Sequence, residues 1–183
     1  MATYDSEKIL LKNNKEVIVR NLQPCDAEKY STFSEMIAIE STHTLHVKGQ
    51  LLSIDKMEEK LKTATDSSWQ LELGGFNEDK LISHLAFYKT RPFHPYEKHV
   101  GEFAIKVLKE YGSNGLGSKM LLIMENVARK MDTKRIQATV RTQNYAGISF
   151  YKKHGYEIEG VKKEAAFIND VYENEFYISK ILK

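Results

Sequence analysis

Residues Tyr111–Leu121 read YGSNGLGSKML, with Gly112, Gly115 and Gly117 inside six positions and a helix-forming run directly after. Such loops hold phosphates, because glycine lets backbone N–H groups converge and the helix that follows adds its positive N-terminal end. A Walker loop needs GxxxxGK(S/T). Gly112 and Gly117 have that separation, but Ser118 stands where the lysine belongs and Lys119 comes one place late. One place on a helix is about 100° of rotation, which turns the lysine away from the terminal phosphates. A dinucleotide fingerprint needs GxGxxG, whereas the order here is GxxGxG, and Asp132 lies at the end of the helix rather than of a second strand. Two readings survive. In one, backbone N–H groups from Asn114 to Ser118 form an anion cradle that needs no cationic side chain. In the other, the glycines merely permit positive φ in a strand-to-helix turn. The loop alone does not choose between them.

Outward from the loop, GEFAIKVL (Gly101 to Leu108) alternates as a strand, with Phe103, Ile105 and Val107 on one face and Glu102, Ala104 and Lys106 on the other. Leu116, Met120, Ile123, Val127 and Met131 recur at helical spacing and predict the core stripe of the helix that follows. RIQATVR (Arg135 to Arg141) alternates as a strand, and Asn144 to Gly155 has the start and stop of a short helix. Upstream, EVIVRNL predicts a strand from Glu16, Pro24 and Asp26 open a helix to about Ile39, and Ser53 or Asp55 caps a second helix, DKMEEKLKTA. WQLEL and Lys80 to Lys89 predict a hairpin, turning at Gly74-Gly75 and Asn77 to Asp79, and RPFHPYEKH reads as a loop. YEIEGVKKE and DVYENEFYISKIL close as strands. The order β-α-α-β-β-β-α-β-α-β-β predicts one mixed α/β or α+β domain over residues 1–183, on a mainly antiparallel sheet flanked by helices.

Composition narrows the function. The chain has 183 residues, enough for a real core, and a net charge of +2 with no run of like charges longer than a few residues, which argues against nucleic acid as a partner. Its single cysteine, Cys25, cannot form an internal disulfide and fits a reducing, cytoplasmic setting. MATYDSEKILLKNN lacks the apolar run of a leader, and no apolar run is long enough to span a membrane. Thr42 to His46 has an HxxH look, yet no Glu or Cys stands at metal spacing, so no metal is expected.

Strand, GxxGxG loop, long helix and strand, followed by NxxxIxFYxxxGY from Asn144 through Tyr151 to Gly155-Tyr156, resemble the GNAT acyltransferase superfamily over roughly residues 80 to 180. The family's loop is usually (Q/R)xxGx(G/A); here Gly112 replaces the Gln or Arg, and Gly147 replaces a common alanine in the second motif. NDVYENEFYISKIL resembles the ending of ribosomal-protein N-terminal and spermidine acetyltransferases. The resemblance implies acetyl-CoA as cosubstrate and direct acetyl transfer to a small-molecule or peptidic primary amine in a ternary complex. It implies a sheet splayed between the strands ending at Leu108 and Arg141, and it leaves a homodimer open. Cofactor contacts fall on Ile105, Val107, Leu108, Gly112, Ser113, Asn114, Gly115, Leu116, Gly117, Ser118, Asn144 and Tyr151. Tyr151 lies seven residues after Asn144, nearly two helical turns, so one face presents both, with Tyr151 as the donor to the leaving sulfur. Tyr151 also reads as an aromatic core residue beside Phe150. Glu102 is the candidate base, acting through a water, or a solvated sheet glutamate near Lys106. His84 in the neighbouring strand is a candidate for the proton path, and His94 and His99 for a pocket rim. A catalytically silent acyl-CoA-binding or interaction protein of the same fold is the alternative, with Gly112 as its one supporting feature.

Overall fold

The computed structural model describes residues 4–183; Met1–Thr3, the start of the stretch read above as free of a leader, lie outside the described residues. The chain runs β1 (Glu7–Leu10), β2 (Glu16–Asn21), α1 (Ala27–Glu40), α2 (Ile54–Asp66), β3 (Gln70–Asn77), β4 (Lys80–Lys89), β5 (Val100–Val107), α3 (Leu116–Lys130), β6 (Arg135–Arg141), α4 (Tyr145–Lys153), β7 (Glu157–Ile168) and β8 (Val171–Ile181), with short 3₁₀ turns at Pro24–Asp26 and Lys109–Tyr111. The strands form one sheet in the order β1-β2-β3-β4-β5-β6-β8-β7. All neighbours are antiparallel except β5 and β6, which α3 joins as a crossover. Among the described residues no helix is long and apolar enough to cross a membrane.

Adjacent residues of β4 show how the sheet is covered. Ser83 donates to the Met120 sulfur of α3 at 3.1 Å, while His84 packs edge-on against Tyr30 of α1 at 4.7 Å. Successive strand residues point to opposite faces, so α1 and α3 cover opposite sides of the sheet. The predicted α3 stripe holds: Leu116, Met120, Ile123 and Val127 are buried, and Met131, at the helix end, is half-buried against the same core. Glu125 is buried on α3 as well, held by Lys180 of β8 at 2.8 Å through both oxygens.

Two expectations change. Gly74 and Gly75 are not a turn; β3 runs through them to Asn77. A Cβ on Gly74 would meet Leu22 at 2.6 Å, and one on Gly75 would meet the Ser83 hydroxyl at 2.2 Å, so these glycines admit close neighbours within the strand. The chain reverses at Glu78, whose φ is 53°. The sequence reading also lacked β1, a four-residue edge strand of which only Ile9 is buried, too short to show a period.

Met120 is fully buried and Met131 is not, which separates their costs. Met120→Ala should destabilise by about 2–5 kcal/mol in urea unfolding, and Met131→Ala by less than half as much. Equal losses would contradict the assigned stripe.

Candidate functional site

The site begins where β5 and β6 part. Their parallel pairing covers Val100↔Arg135, Gly101↔Ile136 and Glu102↔Gln137, then ends. Beyond it β5 stays paired to β4 as far as Val107, and β6 stays paired to β8 as far as Arg141. Each strand thus presents one unpaired edge to the gap, and the gap opens into a cleft of about 660 Å³. Ile105, Glu102, Asn144 and Tyr151 line this cleft together, as do His43 to Leu45 from the α1–α2 connection. His94 and His99 are exposed and not among its lining residues.

The glycine loop lies beside it. An ideal Cβ on Gly117 would stand 3.5 Å from the Phe150 ring and 3.8 Å from Ile105, so the start of α3 abuts both β5 and α4. Ser113 has φ 59° and Gly115 φ 92°. These left-handed residues turn successive N–H groups to one side, which is how a backbone nest forms. The N–H groups of Ser113, Asn114, Gly115, Leu116, Gly117 and Ser118 make no hydrogen bond to any described residue; the first intrahelical bond is Lys119 N–H to Gly115 C=O. The Asn114 side chain closes the loop by donating to Gly112 C=O at 2.9 Å. Six unsatisfied donors at a helix N-terminus suit an anion such as a pyrophosphate. Leu108 differs from its neighbours: its N–H donates to Ile82, its carbonyl accepts from Tyr111, and its side chain is buried, so it has no donor to offer.

On α4, Asn144 is the N-cap, its Oδ1 accepting from Gly147 N–H at 2.9 Å. A Cβ on Gly147 would fall 2.7–3.0 Å from the Asn144 side-chain atoms, so the glycine and this cap belong together. The cap occupies Oδ1 and leaves the Nδ2 donors free. Tyr151 packs its ring against Phe103, Phe150 and Tyr156 at 5.3–6.0 Å. Its hydroxyl has no hydrogen-bond partner among the described residues, and burial pushes the phenol up to about 12.

Glu102 stands on the opposite face of β5, at the last rung of the ladder. Tyr88 donates to one of its oxygens at 2.7 Å and Gln137 to the other at 2.8 Å, which fixes the carboxylate at the apex of the cleft. Further along this face His84 is buried, with Nε2 at 2.5 Å from Glu72 and Nδ1 at 3.3 Å from the Tyr30 hydroxyl. Burial lowers the His84 pKa more than Glu72 raises it. Burial also pushes the Glu72 carboxyl up, but His84, Lys60 and Lys106 outweigh it and the net shift is down. A neutral imidazole therefore donates to an ionised carboxylate. Lys106 lines the cleft nearby; burial, then Lys60, bring it down to about 8, with Glu72 opposing. Sequence reasoning missed the Glu72–His84 pair, which only the β3–β4 register brings together, and Arg141, which it read as the end of a strand.

A sequence profile of the acetyltransferase (GNAT) family matches residues 35–156, well over half of the chain. L-amino acid N-acetyltransferase AaaT of Escherichia coli is 33% identical over 88 residues, covering 48% of this chain; the match spans only 54% of that relative's own length. A solved GNAT-family acetyltransferase from Streptococcus pneumoniae is 28% identical with a TM-score of 0.84, covering 91% of this chain and 99% of that one. A structure of yncA from Salmonella typhimurium with its cofactor acetyl-CoA shares the fold at a TM-score of 0.79 and 13% identity, over 91% of this chain and 94% of that one. The strand order, the parted β5–β6 pair and the glycine loop that abuts it agree with these likenesses: the chain belongs to the acetyltransferase (GNAT) family.

Proposed function

We propose that the protein transfers an acetyl group from acetyl-CoA to a primary amine by direct attack in a ternary complex, in the cytoplasm. The observation that carries this is the run of six unsatisfied backbone donors, Ser113 to Ser118, abutting a cleft lined by Tyr151 and Glu102. The loop suits the CoA pyrophosphate. The unpaired edge of β5 from Phe103 to Val107 suits the pantetheine amides, which pair as an added strand would. Gly112 gives the silent alternative little support, because every donor of the cradle is backbone.

An alkyl amine with a pKa of about 10 arrives as ammonium and must lose a proton before attack. Glu102, oriented by Tyr88 and Gln137, takes that proton through a water. Backbone N–H groups on the open edge of β5 face the charge that develops on the thioester oxygen. The Tyr151 hydroxyl donates to the departing sulfur. With its pKa at about 12, well above that of a thiol at ~8.5, it stabilises the thiolate as a hydrogen-bond donor and keeps its own proton; the second proton of the attacking nitrogen, released as the C–N bond forms and the C–S bond breaks, goes to the thiolate and gives the CoA thiol.

Thiol release from acetyl-CoA across a broad amine panel tests the activity; no amine-dependent release at saturating donor would overturn it. Tyr151→Phe should lower kcat roughly 10- to 100-fold and leave the acetyl-CoA Kd within about twofold, and an unchanged kcat removes Tyr151 from the mechanism. Because the phenol is protonated at every pH below about 12, any alkaline limb seen below pH 10 should persist in this variant. Glu102→Gln should cost on the order of 100-fold in kcat/KM near pH 7, shrinking as pH rises and the amine deprotonates unaided; a pH-independent loss would argue against a base. Gly115→Ala forces an L-residue to φ 92°. It should weaken acetyl-CoA binding about tenfold by calorimetry, the equivalent of about 1–2 kcal/mol of strain.

A further inference from the structure

The open mouth of the cleft carries two cations that the protein leaves without hydrogen bonds. Lys106 on β5 and Arg141 on β6 each lie four residues beyond the Glu102–Gln137 rung. Four is an even number, so both side chains point to the face that carries Glu102. The strands no longer pair there; each residue lies about 13 Å past the rung along its own strand, one on either side of the gap. Both line the cleft.

Arg141 is 6% exposed, yet its guanidinium makes no hydrogen bond to any described residue, and its Nη1 is buried and unpartnered. Glu175 approaches Nε at 3.5 Å and Glu173 approaches Nη1 at 3.9 Å, too far for hydrogen bonds. Lys162, 3.8 Å from Glu175, offsets part of that negative charge. The Nη1 donors, and Glu173 Oε2 beside them, are buried without a hydrogen bond, and unmet donors on a buried guanidinium are costly unless something enters the cleft to meet them. Lys106 likewise has no hydrogen bond and no ion pair within 4 Å among the described residues. Burial and Lys60 disfavour its charge, and an entering anion would favour it.

We propose that Lys106 and Arg141 form a two-sided clamp for a carboxylate carried by the acceptor amine, which makes the substrate an amino acid rather than a plain alkylamine. Two residues back along the same face lie Ala104 and Thr139, short side chains that also line the cleft. A carboxylate at the clamp leaves its amine room at that level, on the way to Glu102. The planar guanidinium offers a bidentate partner and the lysine a point charge from the facing strand.

The inference rests on the acetyl-transfer reading, so two measurements keep their failures apart. The first compares wild-type thiol-release kinetics for L-leucine, L-methionine and L-phenylalanine with their carboxamides, in which the amine is retained and the carboxylate is not. We expect kcat/KM to favour the acids at least about tenfold, and K106M to bring the ratio towards one by raising KM for the acids. R141M removes a member of a buried ion cluster and risks misfolding, so K106M carries the test. The second is calorimetric titration of the same acids and amides into the CoA-bound protein, which needs no turnover. Acid-selective, Lys106-dependent binding without turnover supports the clamp and removes the transfer reading. Turnover of amides as fast as acids, equal loss of both in K106M, or no acid-selective binding overturns the clamp.

Discussion

Everything in this molecule depends on a parallel pairing that stops after three rungs. Val100 to Glu102 hold Arg135 to Gln137, and then the two strands separate. The separation is not fraying, because each strand remains bonded along its other edge, β5 to β4 and β6 to β8. Two well-paired half-sheets therefore meet at a hinge point and stand apart above it. A parallel pair also demands a long crossover, and α3 supplies it. That crossover must start at the carboxyl end of β5, so the N-terminus of α3 arrives at the mouth of the gap it helped to create. The same topological fact provides the cleft, the unpaired backbone edge and the anion cradle, in keeping with the tendency of α/β sheets to bind ligands beyond the carboxyl ends of diverging strands.

The sheet also sorts the chemistry by face. On the α3 side the cleft wall is aromatic, with Tyr151 set against Phe103, Phe150 and Tyr156. On the α1 side it is ionisable, with Glu102, Lys106 and Arg141, and the Glu72–His84 pair lies buried on the same face of the sheet. Burial acts on both walls in one direction, against charge, and so moves a phenol and an ammonium oppositely: Tyr151 up to about 12 and Lys106 down to about 8. Tyr151 becomes a donor that does not ionise. Lys106 becomes a cation held in place only weakly by its surroundings, and so responsive to whatever enters.

Local features were legible in the sequence, and pairings between distant strands were not. YGSNGLGSKML announced a helix start with free donors because glycine and helix periodicity are read within ten residues. Ser113 was expected as a cofactor contact by resemblance alone; the left-handed φ that leaves its N–H free is one a serine does not advertise. The splay from Ile105 to Leu108 was expected by resemblance, but the loss of Leu108 as a donor follows from its bond to Ile82, a register fact. Gly74-Gly75 misled for the same reason: glycine signals both a turn and a close approach, and only the neighbours Leu22 and Ser83 decide between them. Glu72 and His84, or Lys106 and Arg141, face each other only once the strand order is known.

The two positions where the chain departs from the family pattern have different physical standing. At Gly147 a Cβ would press on the Asn144 side chain at 2.7–3.0 Å, so any larger residue requires the cap to shift. That cap engages Oδ1 and leaves the Nδ2 donors of Asn144 without a partner among the described residues. At Gly112 φ is −63°, a value any residue adopts, and a Cβ would meet only the Lys109 carbonyl at 3.1 Å. Glycine there tightens a turn rather than enabling a forbidden one. Six free backbone N–H groups keep their direction whatever the flanking side chain, because they are set by the φ values at Ser113 and Gly115 and by the start of α3. What the loop gives up is charge, and charge contributes reach and rate more than geometry.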